Sequence, residues 1–145
     1  MSKVLFVGSN PSQKSNSVTP FWHDAKSTKI LSTWTSKLEL ENVIFCFANV
    51  SNFPTPDNRP LLVSEIKASL PILEHDIRFI IMPHKIVALG KTAEKALTLL
   101  RLDFYAMPHP SGLNRLLNDP AYVEEKIKGL KLYLNPSTSF DITEY

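Results

Sequence analysis

Short β-rich runs alternate with helical patterns along almost the whole of this 145-residue chain. The runs are too short for helices, and loop residues follow each one: Val4–Val7, Val43–Phe47, Ile86–Leu89 and Phe104–Met107. Strands that alternate with helices favour a parallel sheet covered by helices on both faces. We therefore expect a single three-layer α/β/α domain with a central, mostly parallel four-stranded sheet.

The segments between these runs repeat apolar residues with the period of an α-helix. The second such pattern, from Leu62 to Ile77, contains Pro71, which is expected to kink the helix or split it in two. Asp119 is the predicted N-cap of the last helix, with Pro120 at its first position. Residues 135–145 have no clear period and are predicted to form a peripheral tail after a domain of residues 1–134.

The composition is that of a soluble globular protein, with 43% hydrophobic and 21% charged residues. No apolar run approaches the roughly 18 residues that span a bilayer, so we expect a cytoplasmic protein without membrane contact. Cys46 is the single cysteine, which excludes an internal disulfide and a thiolate-ligated metal site from this chain. His23, His75 and His84 share no ligand spacing, and surface or turn roles are expected for them.

Three of the four glycines follow predicted strands. Gly8 and Gly90 come directly after a strand, and Gly112 lies in the loop after the last one, whereas Gly129 lies inside the last helical pattern. Ligands of open parallel sheets bind at the carboxyl ends of the strands, where a residue without a side chain permits close approach. The functional site is therefore predicted at that edge.

Two loops at this edge contain chemically informative residues. Gly8-Ser9-Asn10-Pro11-Ser12 lacks the Gly-Lys-Ser/Thr ending of a phosphate loop and the three glycines of a dinucleotide fingerprint, so alone it indicates only a turn. In the second loop, residues 107–115, two prolines flank His109 and restrict the backbone on both sides. A restrained histidine followed by serine, glycine, leucine, asparagine and arginine favours a ligand clamp over a core segment.

Together these loops resemble the two motifs of the uracil-DNA glycosylase superfamily, Gly-x-(Asp/Asn/Ala)-Pro and (His/Asn)-Pro-Ser. Gly8-Ser9-Asn10-Pro11 and His109-Pro110-Ser111 match them in order and context. Three other parts of this chain are similar to further segments of the family: Pro20-Phe21, Ala48-Asn49-Val50 and residues 85–93. The resemblance extends from about Val4 to about Leu134, and several motifs in the correct order are more specific than any one alone.

The resemblance implies a role for each matching residue. Asn10 would orient the attacking water, and His109 would donate a hydrogen bond to O2 of the departing base; these are the two implied catalytic residues. Asn49 would read N3–H and O4 of uracil, Phe21 would stack on the extruded base, and Leu113 would fill the vacated space in the duplex. The implied base-binding residues are Gly8, Ser9, Pro11, Ser12, Phe21 and Asn49. The implied DNA-contacting residues are Ser111, Gly112, Leu113, Asn114 and Arg115.

The chain departs from its relatives in two respects. The iron–sulfur branch, which the Pro-Phe and helix segments resemble, uses four cysteines that this sequence lacks. Asn10 is like the mismatch-specific branch, and an amide cannot deprotonate water as a carboxylate can. No lysine occupies a motif position, which argues against Schiff-base chemistry. We therefore expect a cofactor-free, monomeric, monofunctional uracil-DNA glycosylase that acts on single- or double-stranded DNA containing uracil.

Alternatives remain for the chain and for single residues. The same fold could bind uracil-containing DNA, modified DNA or a protein partner with its chemistry weakened or lost, and a nucleotide-binding α/β enzyme is a third possibility. Apart from the resemblance, Asn49 could merely cap a strand end, and either Phe21 or Trp22 could be a core aromatic. Arg59 is expected to be a solvated loop charge. Lys126, Lys128 and Lys131 are expected to form a solvated helix face.

Overall fold

A four-stranded parallel sheet forms the centre of the protein, in a computed structural model that describes residues 2–10, 25–110 and 115–135. The strands are β1 (Ser2–Gly8), β2 (Val43–Asn49), β3 (Lys85–Leu89) and β4 (Tyr105–Met107). The helices are α1 (Ala25–Leu38), α2 (Val63–His75), α3 (Lys91–Leu99) and α4 (Pro120–Leu134). The strand order is β2-β1-β3-β4, and every strand pair is parallel. The expected α/β architecture is confirmed.

Side chains that alternate along the strands enter two apolar cores, one on each face of the sheet. Leu5 and Val7 of β1 pack with residues of α2 and α3, such as Ile66 and Leu97. Val4 and Phe6 pack on the other face, with residues of α1 and α4 that include Leu31, Trp34, Ile127 and Leu130. Helices therefore cover both faces, as the alternation of patterns predicts.

Helix α2 is continuous through Pro71, so of the two predicted outcomes, a kink or a split, the split does not occur. The α-helix continues past Pro71 to His75 and then changes to π-helical geometry over Asp76–Ile81. Proline removes the donor to the carbonyl four residues earlier, here that of Lys67, but Lys67 and Pro71 both lie on the exposed side of the helix. Water can satisfy that carbonyl, so the packing of Ile66 and Leu73 keeps the helix continuous.

Helix α4 begins as predicted. Asp119 accepts hydrogen bonds from the backbone N–H groups of Ala121 and Tyr122 at 3.1 and 3.3 Å, and Pro120 occupies the first helical position. Gly129 has a packing role, because a Cβ there would overlap the hydroxyl of Tyr105. That hydroxyl donates to the carbonyl oxygen of Lys126 at 3.0 Å.

One lysine of the expected solvated face has an aromatic contact. The Lys126 ammonium lies 4.8 Å from the centroid of the Tyr105 ring, so this side chain is held over the surface of β4. Lys128 and Lys131 are exposed, as expected.

Residues without a role at the site occupy the places expected of them. His84 lies in the turn before β3, where its Nδ1 accepts a hydrogen bond from the Lys3 backbone at 2.9 Å. His75 is exposed, and Cys46 is half-buried and packs against the core. Within the described ranges, no helix is both long and apolar enough to cross a membrane.

Candidate active site

The carboxyl ends of the four parallel strands lie at one edge of the sheet, and Gly8, Asn49 and His109 lie at or just beyond these ends. Gly8 and Asn49 are register partners at the ends of β1 and β2. Backbone pairing continues beyond them, because the N–H groups of Val50 and Ser51 donate to the carbonyls of Gly8 and Ser9 at 2.9 and 3.0 Å. The first motif and the segment around Asn49 are therefore joined by main-chain hydrogen bonds.

The amide of Asn10 is held in one orientation by its hydrogen bonds. Its Nδ2 donates to the carbonyl oxygen of Phe53 at 3.1 Å and lies 3.5 Å from the hydroxyl of Thr55. The hydroxyl of Ser9 donates to Oδ1 at 3.2 Å. A carbonyl oxygen can only accept a hydrogen bond, so Nδ2 must face Phe53 and Oδ1 is the acceptor end available for other groups. Asn10 is thus a fixed, half-buried hydrogen-bonding group.

Asn49 ends the strand next to Asn10. Its residue is half-buried, and its side-chain oxygen Oδ1 is inaccessible to solvent. Because β1 and β2 pair in register up to Gly8 and Asn49, the side chain is fixed to the same strand edge as the first motif. An oxygen that solvent does not reach can accept a hydrogen bond from a base only after the side chain or its neighbours move.

His109 lies in the loop that follows β4, between two buried prolines, Pro108 and Pro110. Gly90 ends β3 directly beside it: a Cβ at Gly90 would stand 3.1 Å from the Cβ of His109. The Gly90 N–H donates to the carbonyl oxygen of Met107 at 2.9 Å, which ties the two strand ends together. The half-buried His109 is therefore held between two prolines that restrict its backbone and lies against Gly90.

The loop between β2 and α2 supports Asn10 through residues that sequence reasoning missed. Thr55 is buried, at 4% exposed, and its hydroxyl donates to the carbonyl oxygen of Arg59. Arg59 in turn pairs with both carboxylate oxygens of Glu65, at 2.7 and 3.0 Å. Arg59 remains a partly solvated loop charge, as expected, with 39% of its side chain exposed, but it is also paired with Glu65, which the sequence did not predict. The only signal in the sequence was the position of Pro54-Thr55-Pro56 shortly after Asn49.

Glu65, in the first turn of α2, has a strongly lowered pKa. The hydrogen bonds from the Arg59 guanidinium, and next that from the Leu62 backbone N–H at 2.8 Å, lower the pKa of Glu65 from 4.5 to about 2. Both groups stabilise the ionised form. The loop that contacts Asn10 is therefore closed by an ion pair that persists throughout the neutral range.

Several motif residues lie outside the described residues: Pro11, Ser12, Phe21, Ser111, Gly112, Leu113 and Asn114. Arg115 begins a short 3₁₀-helix, Arg115–Asn118, and its side chain is likewise not described. The roles implied for these residues stay predictions. In the described ranges, no three His, Cys, Asp or Glu side chains group together in a way that could hold a metal ion.

The fold is of the α/β class, and the candidate site lies at the carboxyl ends of its parallel strands. The sequence model of the uracil DNA glycosylase superfamily matches residues 1–131 of the chain. The protein belongs to this superfamily, whose members share a glycosylase fold and whose chemistry implies binding to DNA. A search of curated proteins found no significant match.

Proposed function

We propose that this superfamily member is a monofunctional uracil-DNA glycosylase, which hydrolyses the N-glycosidic bond of an extruded uracil and leaves an abasic site. The observation that carries the proposal is the placement of Asn10, Asn49 and His109 at the ends of three strands on one edge of the sheet. A base reader, a donor for the departing base and a water-orienting acceptor are the groups that this hydrolysis needs.

Recognition of uracil is assigned to Asn49. Its amide would supply an acceptor for N3–H and a donor for O4 once movement of the side chain exposes the buried oxygen, whereas cytosine presents the opposite pattern at these positions. Extrusion of the base costs a few kcal/mol. Phe21 stacking on the base and Leu113 filling the vacated space would offset this cost, as the resemblance to the superfamily implies.

The chemical step is assigned to His109 and Asn10. When the N-glycosidic bond breaks, its electron pair leaves with the base and negative charge gathers on O2, where His109 donates a hydrogen bond. The rigid support of His109 suits this role, since a donor placed in advance stabilises the transition state without reorganisation. Oδ1 of Asn10 has a second lone pair besides the one that accepts from Ser9, and this lone pair can orient the attacking water.

The test is base release from a uracil-containing oligonucleotide, followed by alkali to cut the abasic site. Free uracil should appear, and strands should break only after alkali. His109→Ala should lower the single-turnover rate by about 10²- to 10³-fold, because it removes one oxyanion donor. His75→Ala is the matched control and should leave the rate unchanged, since His75 is exposed and ends α2 instead of following a strand. Strand cleavage before alkali, or a covalent adduct trapped by borohydride, would contradict monofunctional hydrolysis.

A second candidate is a glycosylase-fold module that binds uracil-containing or modified DNA with little catalysis. The specific observation in its favour is Asn10 itself, because its amide has no basic group to deprotonate water. The same assay separates the two candidates. Tight binding of the uracil oligonucleotide without release of uracil would favour the binding module.

A further inference from the structure

An exposed aromatic ring stands on the loop that holds Asn10. The side chain of Phe53 is 77% exposed, the largest exposure among the large apolar residues of the described ranges. Its main chain, in contrast, is anchored: the carbonyl oxygen accepts from Asn10 at 3.1 Å, and the N–H donates to the hydroxyl of Ser51 at 3.2 Å. A large apolar ring is thus presented to solvent from a fixed backbone.

The remainder of this loop is equally restrained. Thr55 bonds to the carbonyl of Arg59, and Arg59 forms its bidentate pair with Glu65 at the start of α2. A ring on a fixed backbone loses little conformational entropy when it is buried against a partner. The loop is therefore built to present Phe53 rather than to let it fold inward.

Phe53 lies close to the candidate site, whereas Phe79, which is also strongly exposed, does not. Phe53 is hydrogen-bonded to Asn10, just beyond the carboxyl end of β1. Phe79 is 67% exposed, but its segment reaches the opposite end of the strand, where Lys3 Nζ donates to the carbonyl of Ile81 at 3.1 Å. Lys3 and Asn10 are seven residues apart, which corresponds to roughly 20 Å of extended chain.

We propose that Phe53 stacks on a nucleobase of the bound DNA strand, next to the nucleotide whose base enters the site. This inference rests on the proposed function. The main-chain hydrogen bond between Phe53 and Asn10 places this residue beside the candidate active site, within reach of a strand whose nucleotide enters it. Every base has a flat π-face, and a phenyl ring forms no hydrogen bond, so the contact is independent of sequence. Phe53 thus raises the affinity for the DNA strand without discriminating between bases.

The test is the affinity of the full chain for a single-stranded oligonucleotide with one 2′-fluoro-deoxyuridine, whose glycosidic bond resists hydrolysis, measured by fluorescence anisotropy. Phe53→Ala should weaken binding by about 5- to 100-fold, the loss expected for one stacked base. Phe53→Trp should restore the affinity, and Phe53→Leu should not, because leucine keeps apolar area but has no π-face. Phe79→Ala is the matched control and should bind like the wild type.

Two further readouts separate stacking from other effects. The slope of log affinity against log salt should be the same for Phe53→Ala and the wild type, because no charge is removed. The thermal midpoint should also be unchanged, because the ring is exposed.

Equal affinities of Phe53→Ala and the wild type would overturn the stacking proposal and leave the glycosylase proposal standing. A wild type that binds no DNA would overturn both. Weakened binding by Phe53→Ala, in a protein that releases no uracil, would support stacking and contradict only the proposed catalysis.

Discussion

Gly90 lies directly against His109, and two independent constraints require glycine there. Its φ of +92° belongs to a region that residues with a Cβ rarely adopt. A Cβ would also stand 3.1 Å from the Cβ of His109, closer than an ordinary van der Waals contact. The end of β3 is therefore shaped around the imidazole that we assign to the chemical step.

Substitution of Gly90 by alanine should lower both activity and stability. The strained backbone should cost about 1–3 kcal/mol of the free energy of unfolding. Displacement of His109 should also slow uracil release, measured in single turnover at saturating protein. His109→Ala in the Gly90→Ala background should lower the rate much less than it does in the wild type. Full additivity of the two rate losses would show that Gly90 does not act through His109.

The contact of Gly129 with Tyr105 predicts a coupled pair remote from the motif loops. Gly129→Ala should destabilise the protein by about 1–3 kcal/mol, because the new methyl group overlaps the tyrosine hydroxyl. Tyr105→Phe should cost about 0.5–1.5 kcal/mol through its lost hydrogen bond to Lys126. The double variant should be more stable than the sum of the two losses predicts, as measured by urea unfolding. Additive losses would mean that α4 moves away from Tyr105 in Gly129→Ala, so that the methyl group and the hydroxyl do not overlap.

The ion pair of Glu65 predicts a pH-dependent contribution to stability. Its pKa is lowered to about 2 in the folded protein, against 4.5 for an unperturbed glutamate. A lowered pKa contributes stability that is complete above about 4.5 and is lost as the pH falls toward 2. Glu65→Gln should therefore have a lower thermal midpoint than the wild type at pH 6, and the difference should shrink below pH 4.5.

Glu74→Gln is the control for this measurement. Glu74 also pairs with an arginine, Arg78, at 3.0 Å, but that pair lies on the exposed surface of one helical segment. At pH 6, its removal should change the midpoint less than Glu65→Gln does. An equal effect of the two variants would mean that the Arg59–Glu65 pair does not fasten the loop.

The N-cap of α4 should contribute measurably to stability. Asp119 accepts two backbone hydrogen bonds, so Asp119→Ala should cost about 0.5–2 kcal/mol in urea unfolding. Asp119→Ser should recover most of that loss, since serine also caps helices well. A serine variant as unstable as the alanine variant would indicate that the carboxylate charge matters more than the cap.

Specificity at the C5 edge of the base is predicted from Ser12. In several branches of the superfamily the residue after the motif proline faces this edge, and a small residue leaves it open. If the protein has the proposed activity, it should release 5-hydroxymethyluracil as well as uracil, and Ser12→Tyr should restrict its substrates to plain uracil. The measurement is the ratio of single-turnover rates for the two bases in one duplex. An unchanged ratio would remove Ser12 from the specificity argument.

The sequence predicted the strands and helices of this fold well, because residues within each segment mark that segment. The four apolar runs became the four strands, and Asp119-Pro120 marked the first turn of α4. The continuity of α2 through Pro71 was not predicted, since it depends on packing of Ile66 and Leu73 that the proline rule ignores.

The sequence predicted the positions of the motif residues at the strand ends, but not the residues that support them. Asn10, Asn49 and His109 stand in recognisable motifs that follow strands. The support of Asn10 by Phe53 and Thr55 spans 43 and 45 residues of sequence and uses a main-chain carbonyl, which no residue type marks. The pairing of Arg59 with Glu65 was missed for a related reason, because it requires the exact turn between β2 and α2.

Because β1 lies between β2 and β3 in the sheet, it cannot be paired on both edges until β3 has been synthesised. Leu5, Phe6 and Val7 are fully buried, yet one flank of their strand is closed only by β3, about 80 residues later in the chain. During synthesis β1 therefore emerges long before its second neighbour, with unpaired backbone N–H and C=O groups along one edge and exposed apolar side chains, and both can associate wrongly.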